Sequence, residues 1–171
     1  PSSFVENGDG SLSALDMAIR NAVGKARQVA KEHESGFVLG ADTVVVYQDQ
    51  VLGKPRDKKD AVDMLTQLSG RAHEVITGVC VRRDERMFVR IGSACTEVIF
   101  APIPRKMILC MVEDGELMDK AGAYAIQGIA GRWITEIRGC VSNVIGLPLS
   151  LALGFVQEAY IDSGEEPLLW R

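Results

Sequence analysis

The stretch "GADTVVVYQDQVLGKP", residues 40–55, constrains the fold more than any other. Val44, Val45 and Val46 form an apolar, β-branched run that reads as a buried strand. "QVL" returns after a tight polar turn around Gln48, Asp49 and Gln50. A second, longer pair of strand-like runs follows, "HEVITGVCVRR" and "MFVRIGSACTEVIFAPI", joined at "RDER". Strands that return on themselves make hairpins. With helical segments before, between and after them, the expected class is α/β: a mixed, twisted sheet with flanking helices rather than a purely parallel one. At 171 residues, 47% of them hydrophobic, the chain can bury one sizeable core as a single domain over 1–171 or as two lobes sharing a sheet.

The helical segments carry their own punctuation. From Ser11, Leu15, Ala18, Ile19, Ala22, Ala26 and Val29 recur at helical spacing, and "ESG" stops the pattern. Asp57 is placed to cap the next helix, with Asp60 in its first turn. Ala61, Met64, Leu65 and Leu68 line one face, and Ser69-Gly70 ends it with a left-handed glycine. "PRKMILCMVEDG" is a short helix stopping at Asp114-Gly115, "AGAYAIQG" and "RWITEIRGC" read as two further short strands, and "GLPLSLALGFVQEAY" is a final helix. The first ten residues, polar and glycine-rich, read as a loop.

Charge and composition exclude several classes. A net charge of −4 offers no basic excess for coating nucleic acid, although a small phosphorylated ligand needs only a few local cations. No run of about eighteen apolar residues is long enough to span a membrane, and the opening residues lack the basic-then-apolar pattern of a signal peptide. The four cysteines, at 80, 95, 110 and 140, contain no CxxC and lie at no zinc-ligand spacing from His33 or His73. Cys80 and Cys95 sit in apolar strand-like runs and read as small buried hydrophobes, which suits a reducing cytoplasmic setting.

The residues with chemistry cluster around the first hairpin. If its turn centres on Gln48 or Asp49, Asp42 faces residue 54 or residue 56, and cross-strand Cβ atoms lie about 4.5–5.5 Å apart. Asp42 with Lys54 or Arg56 is then either a cross-strand salt bridge or a catalytic carboxylate beside a phosphate-binding lysine. Phosphoanhydride hydrolysis needs both a carboxylate, to hold a divalent metal or orient water, and cations to offset phosphoryl charge. Lys25, at the edge of the first helix's apolar face, reads as a solvated lysine or as a cation turned back over the strand end. Gln127 in "YAIQG" offers a donor and acceptors to a nucleobase edge, or is an exposed turn residue. "SNVIGLP" is a loop entering the last helix, with Pro148 in its first turn. Arg71 and His73, in "LSGRAHEVITGV", are explained equally well by an exposed turn.

Together, "GADTVVV", "LGKPRDKKDAVDMLTQLSGRAHEVITGV", "DKAGAYAIQG" and "SNVIGLP", in this order and at these spacings, resemble the Maf family of nucleotide pyrophosphatases from about Arg20 to about Tyr160. The resemblance implies a two-lobed α/β fold around a cleft, similar to inosine triphosphate pyrophosphatases. It implies hydrolysis of nucleoside triphosphates to monophosphate and pyrophosphate with a divalent metal, Mg or Mn, and a homodimer. By motif, Asp42 is the expected catalytic and metal-holding carboxylate, Lys25 and Lys54 face phosphate, and Gln127 reads the base. Thr43 and Gln127 are similar to the branch that uses dTTP and UTP. Family members begin with a strand and a Ser-x-Ser-Pro-Arg-Arg loop, which "PSSFVENGDG" does not contain, so the expected domain lacks that N-terminal phosphate segment. Two other readings follow from the same residues: a nucleotide-sensing or division-control module without turnover, and a purine pyrophosphatase acting on inosine or xanthosine triphosphate.

Overall fold

The computed structural model describes residues 12–33, 35–84, 87–113, 115 and 117–164. The opening loop expected over residues 1–10, the tip of the "RDER" turn and Asp114 lie outside them. Five strands form one sheet in the order β2-β1-β3-β4-β5. They are β1 (Val38–Tyr47), β2 (Gln50–Leu52), β3 (Ala72–Arg83), β4 (Phe88–Phe100) and β5 (Ile134–Arg138). Among the described residues, five α-helices accompany them: α1 (Ala14–Ala30), α2 (Lys58–Leu68), α3 (Arg105–Glu113), α4 (Val141–Ile145) and α5 (Leu149–Ser163). This is the expected α/β class with a hairpin-built sheet and flanking helices.

The caps follow the local chemistry. The Ser13 hydroxyl accepts from the Asp16 amide at 3.1 Å and starts α1. Asp57 accepts from the Asp60 amide at 2.7 Å and starts α2, and Gly70, at φ 71°, follows its last turn. Each satisfies backbone groups that a helix end leaves without an intrahelical partner.

The described residues divide into two compact units, one falling within 12–42, 77–94 and 146–164 and the other within 43–76 and 95–145. In the second, Leu65 and Leu68 of α2, Val75 of β3, Val98 and Phe100 of β4, and Ile108 and Met111 of α3 make an apolar core. In the first, Ala22 and Ala26 of α1 pack with Cys80, and Val81 and Phe88 pack with Ala159 of α5.

A seam of small residues in that first unit brings helix and strands unusually close. A Cβ built on Gly40 of β1 would lie 2.4 Å from the Ala22 carbonyl oxygen and 2.9 Å from the Ala26 Cβ. One on Gly78 of β3 would lie 2.4 Å from the Ala18 carbonyl oxygen. Ala18, Ala22 and Ala26 recur every four residues, so one alanine stripe of α1 rests against two glycines. Anything larger on either side would lift the helix away.

Four expectations are corrected. Tyr47 pairs with Gln50 and Val45 with Leu52, so the first turn is centred between Gln48 and Asp49, both at positive φ, rather than on either residue. That one-step difference removes the pairing of residue 42 with 54 or 56. "AGAYAIQG" is not a strand: Gly122 (φ 67°) and Ala123 (φ 56°) are left-handed, and the segment forms a 3-10 turn at Ala121–Ala123 followed by coil. The "SNVIGLP" loop contains the short helix α4. Cys95 is exposed on β4, whose outward positions are only partly covered, whereas Cys80 is buried.

Candidate functional site

Asp42 lies on β1 two residues beyond Gly40, so the carboxylate is held beside the point where α1 presses against the strand. It is 7% exposed. Lys25 Nζ donates to its Oδ1 at 2.5 Å, and Asn21 Nδ2 donates to its Oδ2 at 3.0 Å. Asn21 and Lys25 are four residues apart on α1 and therefore project from one face, one turn above the other. Ala22 and Ala26, each one residue further along, carry the close approach to Gly40. The helix thus delivers an amide donor and an ammonium group to the two oxygens of one carboxylate.

The electrostatics follow from this geometry. Charge-assisted hydrogen bonds from both sides favour the ionised carboxylate over its neutral form. Removing one partner of such a largely buried pair leaves the other charge uncompensated, a change that typically costs about 3–5 kcal/mol. The cation beside Asp42 is therefore Lys25, not a residue across the hairpin. The reading of Lys25 as a solvated helix lysine is corrected: its side chain is one-quarter exposed and paired. Asn21 was not singled out by the sequence pattern. Its position four residues before Lys25 on an alanine-lined face was the available signal.

The remaining expected residues lie in the second unit. Thr43 is half-buried on β1. Lys54 is exposed just beyond β2. Nearby, the Gly122 amide donates to the Gly53 carbonyl at 3.0 Å, tying the "DKAGAY" segment to the "LGKP" segment. A hydrogen bond from Lys120, at 2.9 Å, holds the Asp119 carboxyl below its ordinary value, and the charge of Lys54 adds to the effect. Lys54, Asp119 and Lys120 thus form one solvated charge cluster. Gln127 is exposed at a turn closed by the Gly128 amide donating to the Ala125 carbonyl at 3.0 Å.

His73 is not an exposed turn residue. It is 3% exposed, its Nε2 lies 2.8 Å from the Tyr124 hydroxyl, and its ring meets Phe100 and Tyr124 edge-on. Burial pushes its pKa down to about 4 and raises that of Tyr124. The trio is a polar-tipped aromatic core. Arg71 remains exposed and donates to the Gln67 carbonyl at 2.7 Å, serving the end of α2.

Among the described residues, no group of three or more His, Cys, Asp or Glu side chains gathers as a metal cage. A single carboxylate still suits Mg²⁺, which keeps several waters and binds through one or two carboxylates together with substrate phosphates. A carboxylate oxygen is the donor type a hard cation of that kind takes. Both Asp42 oxygens here already accept from nitrogen donors, Lys25 and Asn21, so a cation would share the carboxylate with them. No helix among the described residues is long and apolar enough to cross a membrane.

Comparison with known proteins sharpens the assignment. The sequence profile of the family described as "Maf-like protein" matches residues 1–159. A protein of Syntrophomonas wolfei named dTTP/UTP pyrophosphatase is 45% identical over 139 residues, covering 81% of this chain and 74% of that protein. Proteins of the same name from Anaeromyxobacter dehalogenans (49% over 158 residues, covering 91% and 77%) and from another Anaeromyxobacter strain (44% over 167 residues, covering 96% and 79%) are similar along nearly the whole chain.

Proposed function

The chain belongs to the Maf family, and on that premise we propose that it is a nucleoside triphosphate pyrophosphatase acting on dTTP, UTP and related pyrimidine nucleotides. The observation that carries the reading is Asp42, a largely buried carboxylate whose two oxygens are held by Lys25 and Asn21. Such a group is kept ionised and in one orientation, which general-base work on a water molecule requires. Water adds through its oxygen to a phosphorus of the α–β linkage, its proton passes to Asp42, and the bridging P–O bond breaks to release pyrophosphate.

Lys25, already beside the carboxylate, offsets negative charge that grows on the phosphoryl oxygens. Lys54 is proposed as a further phosphate contact and Gln127 as a contact to the base edge, with Thr43 adjoining the carboxylate in sequence. A divalent cation, when bound, would be held by Asp42 and would neutralise phosphate charge. We also propose that the chain forms a homodimer in solution, to be read by light scattering, and that it works in the cytoplasm.

A pyrophosphate-release screen tests the reading. The panel is dTTP, UTP, CTP, ITP, XTP and 7-methyl-GTP, each with Mg²⁺ and with Mn²⁺. Preferential turnover of dTTP and UTP is expected. Nucleotide binding without turnover would favour the sensing module, and preference for ITP or XTP would favour the purine enzyme.

A further inference from the structure

We propose that Asn21 is a positioning residue for this reaction: its amide nitrogen fixes Asp42, and its Oδ1 accepts a hydrogen bond from the attacking water. The inference rests on the reading of Asp42 as the reacting carboxylate.

Asn21 is out of place as a structural residue. It is 3% exposed on a helix face whose other buried members are Ala18, Ala22, Ala26 and Ala30. Asparagine in a helix interior competes with the backbone and is a poor helix former. Its Nδ2 is used, donating to Asp42 Oδ2 at 3.0 Å. An ionised carboxylate only accepts, so the amide must present its NH₂ to Asp42 and turn Oδ1 elsewhere. That Oδ1 is buried and has no hydrogen-bond partner among the described residues. A buried acceptor without a donor destabilises the fold, and a residue that carries this cost is expected where a ligand supplies the donor.

The reaction provides such a donor. A water molecule has two O–H groups. One must point at Asp42 so that its proton can leave as the new P–O bond forms. The other needs an acceptor if the oxygen lone pair is to face phosphorus. Asn21 Oδ1 is the unpaired acceptor on the side chain already touching Asp42. In the free enzyme it lacks its partner, and in the reacting complex it gains one, so the interaction contributes to kcat rather than to ground-state binding.

The test uses the full chain, with kinetics on dTTP, thermal denaturation and Mn²⁺ titration without nucleotide. Asn21→Leu, close in size, is expected to lower kcat about 30–300-fold, the range for losing one orienting hydrogen-bond group, with KM changed less than about threefold. Its melting temperature should fall by about 3–8 °C, because Asp42 Oδ2 loses the Asn21 donor while the unsatisfied Oδ1 leaves with it, so kcat is read at 20 °C, where the variant remains folded. Asn21→Ser, which leaves a hydroxyl and room for water, should recover part of the rate and guards against a folding artefact with leucine. The double variant Asn21→Leu/Asp42→Asn should be no slower than Asp42→Asn alone, since both act through one step. A kcat within about threefold of the parent for Asn21→Leu, or additive losses in the double variant, would overturn the inference. Loss of Mn²⁺ binding in Asn21→Leu would also overturn it, by assigning Oδ1 to a cation. If Asp42→Asn turns over at the parental rate, the reading of Asp42 itself has failed, an outcome distinct from any of these.

Discussion

Adding one methyl group at Gly40 tests how helix and strand cooperate here. In Gly40→Ala the new Cβ would sit 2.4 Å from the Ala22 carbonyl oxygen and 2.9 Å from both the Cβ and the amide nitrogen of Ala26. Two of these three atoms are backbone, so no side-chain rotation relieves the clash. Restoring ordinary contact requires α1 to retreat by about 1 Å. The same retreat acts on the Lys25 and Asn21 bonds to Asp42, now 2.5 and 3.0 Å, and stretches them past useful hydrogen-bond length. Overpacking of this kind costs about 1–3 kcal/mol, and weakening two charge-assisted bonds adds to it, so we expect a loss of about 3 kcal/mol. For a chain of this size that is a fall in melting temperature of about 6–12 °C. Circular dichroism on heating reads the stability, and pyrophosphate release at 20 °C, where the variant remains folded, reads the activity. A misplacement of this size near the reacting groups should lower kcat about 100-fold. Gly92→Ala is the control. Its Cβ meets the tip of the Phe155 ring at 2.8 Å, a side chain that can turn aside, and should cost little. A Gly40→Ala protein with parental melting temperature would refute the close-packed seam. A destabilised one with parental kcat would refute the idea that the seam sets the carboxylate.

Three further outcomes are expected. Asp42→Asn should lose about 3–5 kcal/mol of stability, because Lys25 loses the Asp42 counter-charge, and still be folded at 20 °C, where pyrophosphate release should show a loss of about three orders of magnitude in kcat. Lys54→Ala, at an exposed position, should change stability by less than about 0.5 kcal/mol in denaturant titration while raising KM for dTTP. His73 should make stability pH-dependent. Its folded pKa, about 4, lies below its unfolded value of 6.5, so above pH 6.5 it is neutral in both states and contributes no pH dependence. As pH falls from 6.5 to 4 the unfolded chain takes up the proton and the folded one does not, so stability drops, by about 3 kcal/mol in total. Denaturant titrations across that window should show this slope in the parent and a flatter one in His73→Phe.

Much of the fold was legible because its signals are local. Asp57 caps, Gly70 stops, and the alanine spacing of α1 each depend on neighbours a turn away. The hairpin register was not legible. "YQDQ" lacks the Asn-Gly or Asp-Gly pair that pins a two-residue turn, so centres one half-step apart looked alike. "AGAYAIQG" misled for a related reason: its apolar run fits a strand, but Ala123 adopts a left-handed backbone that alanine does not announce. Cys95 looked buried because a strand's composition does not say which face is covered. At the site, Asp42 and Lys25 were visible as residue types, but their pairing was not. It depends on how deeply α1 sinks onto β1, which Gly40 and Ala22 decide across eighteen residues of chain.

That dependence explains why the cation beside Asp42 comes from a helix. A cross-strand lysine would sit on the sheet surface, where the pair is exposed, screened and worth little. A lysine on a helix pressed against the strand reaches the carboxylate from above, and the helix itself excludes water. The cost of burying the charge is offset only if both carboxylate oxygens are satisfied, which takes a second donor from the same face. Asn21, one turn before Lys25, meets that need. Its unsatisfied Oδ1 then becomes the one feature of the arrangement that folding alone does not explain. If this reasoning holds, substitutions along the alanine stripe should sort by their distance from Asp42. Ala22→Val and Ala26→Val, both against Gly40, should lower kcat and stability together, whereas Ala30→Val, a full turn beyond Lys25, should affect stability alone.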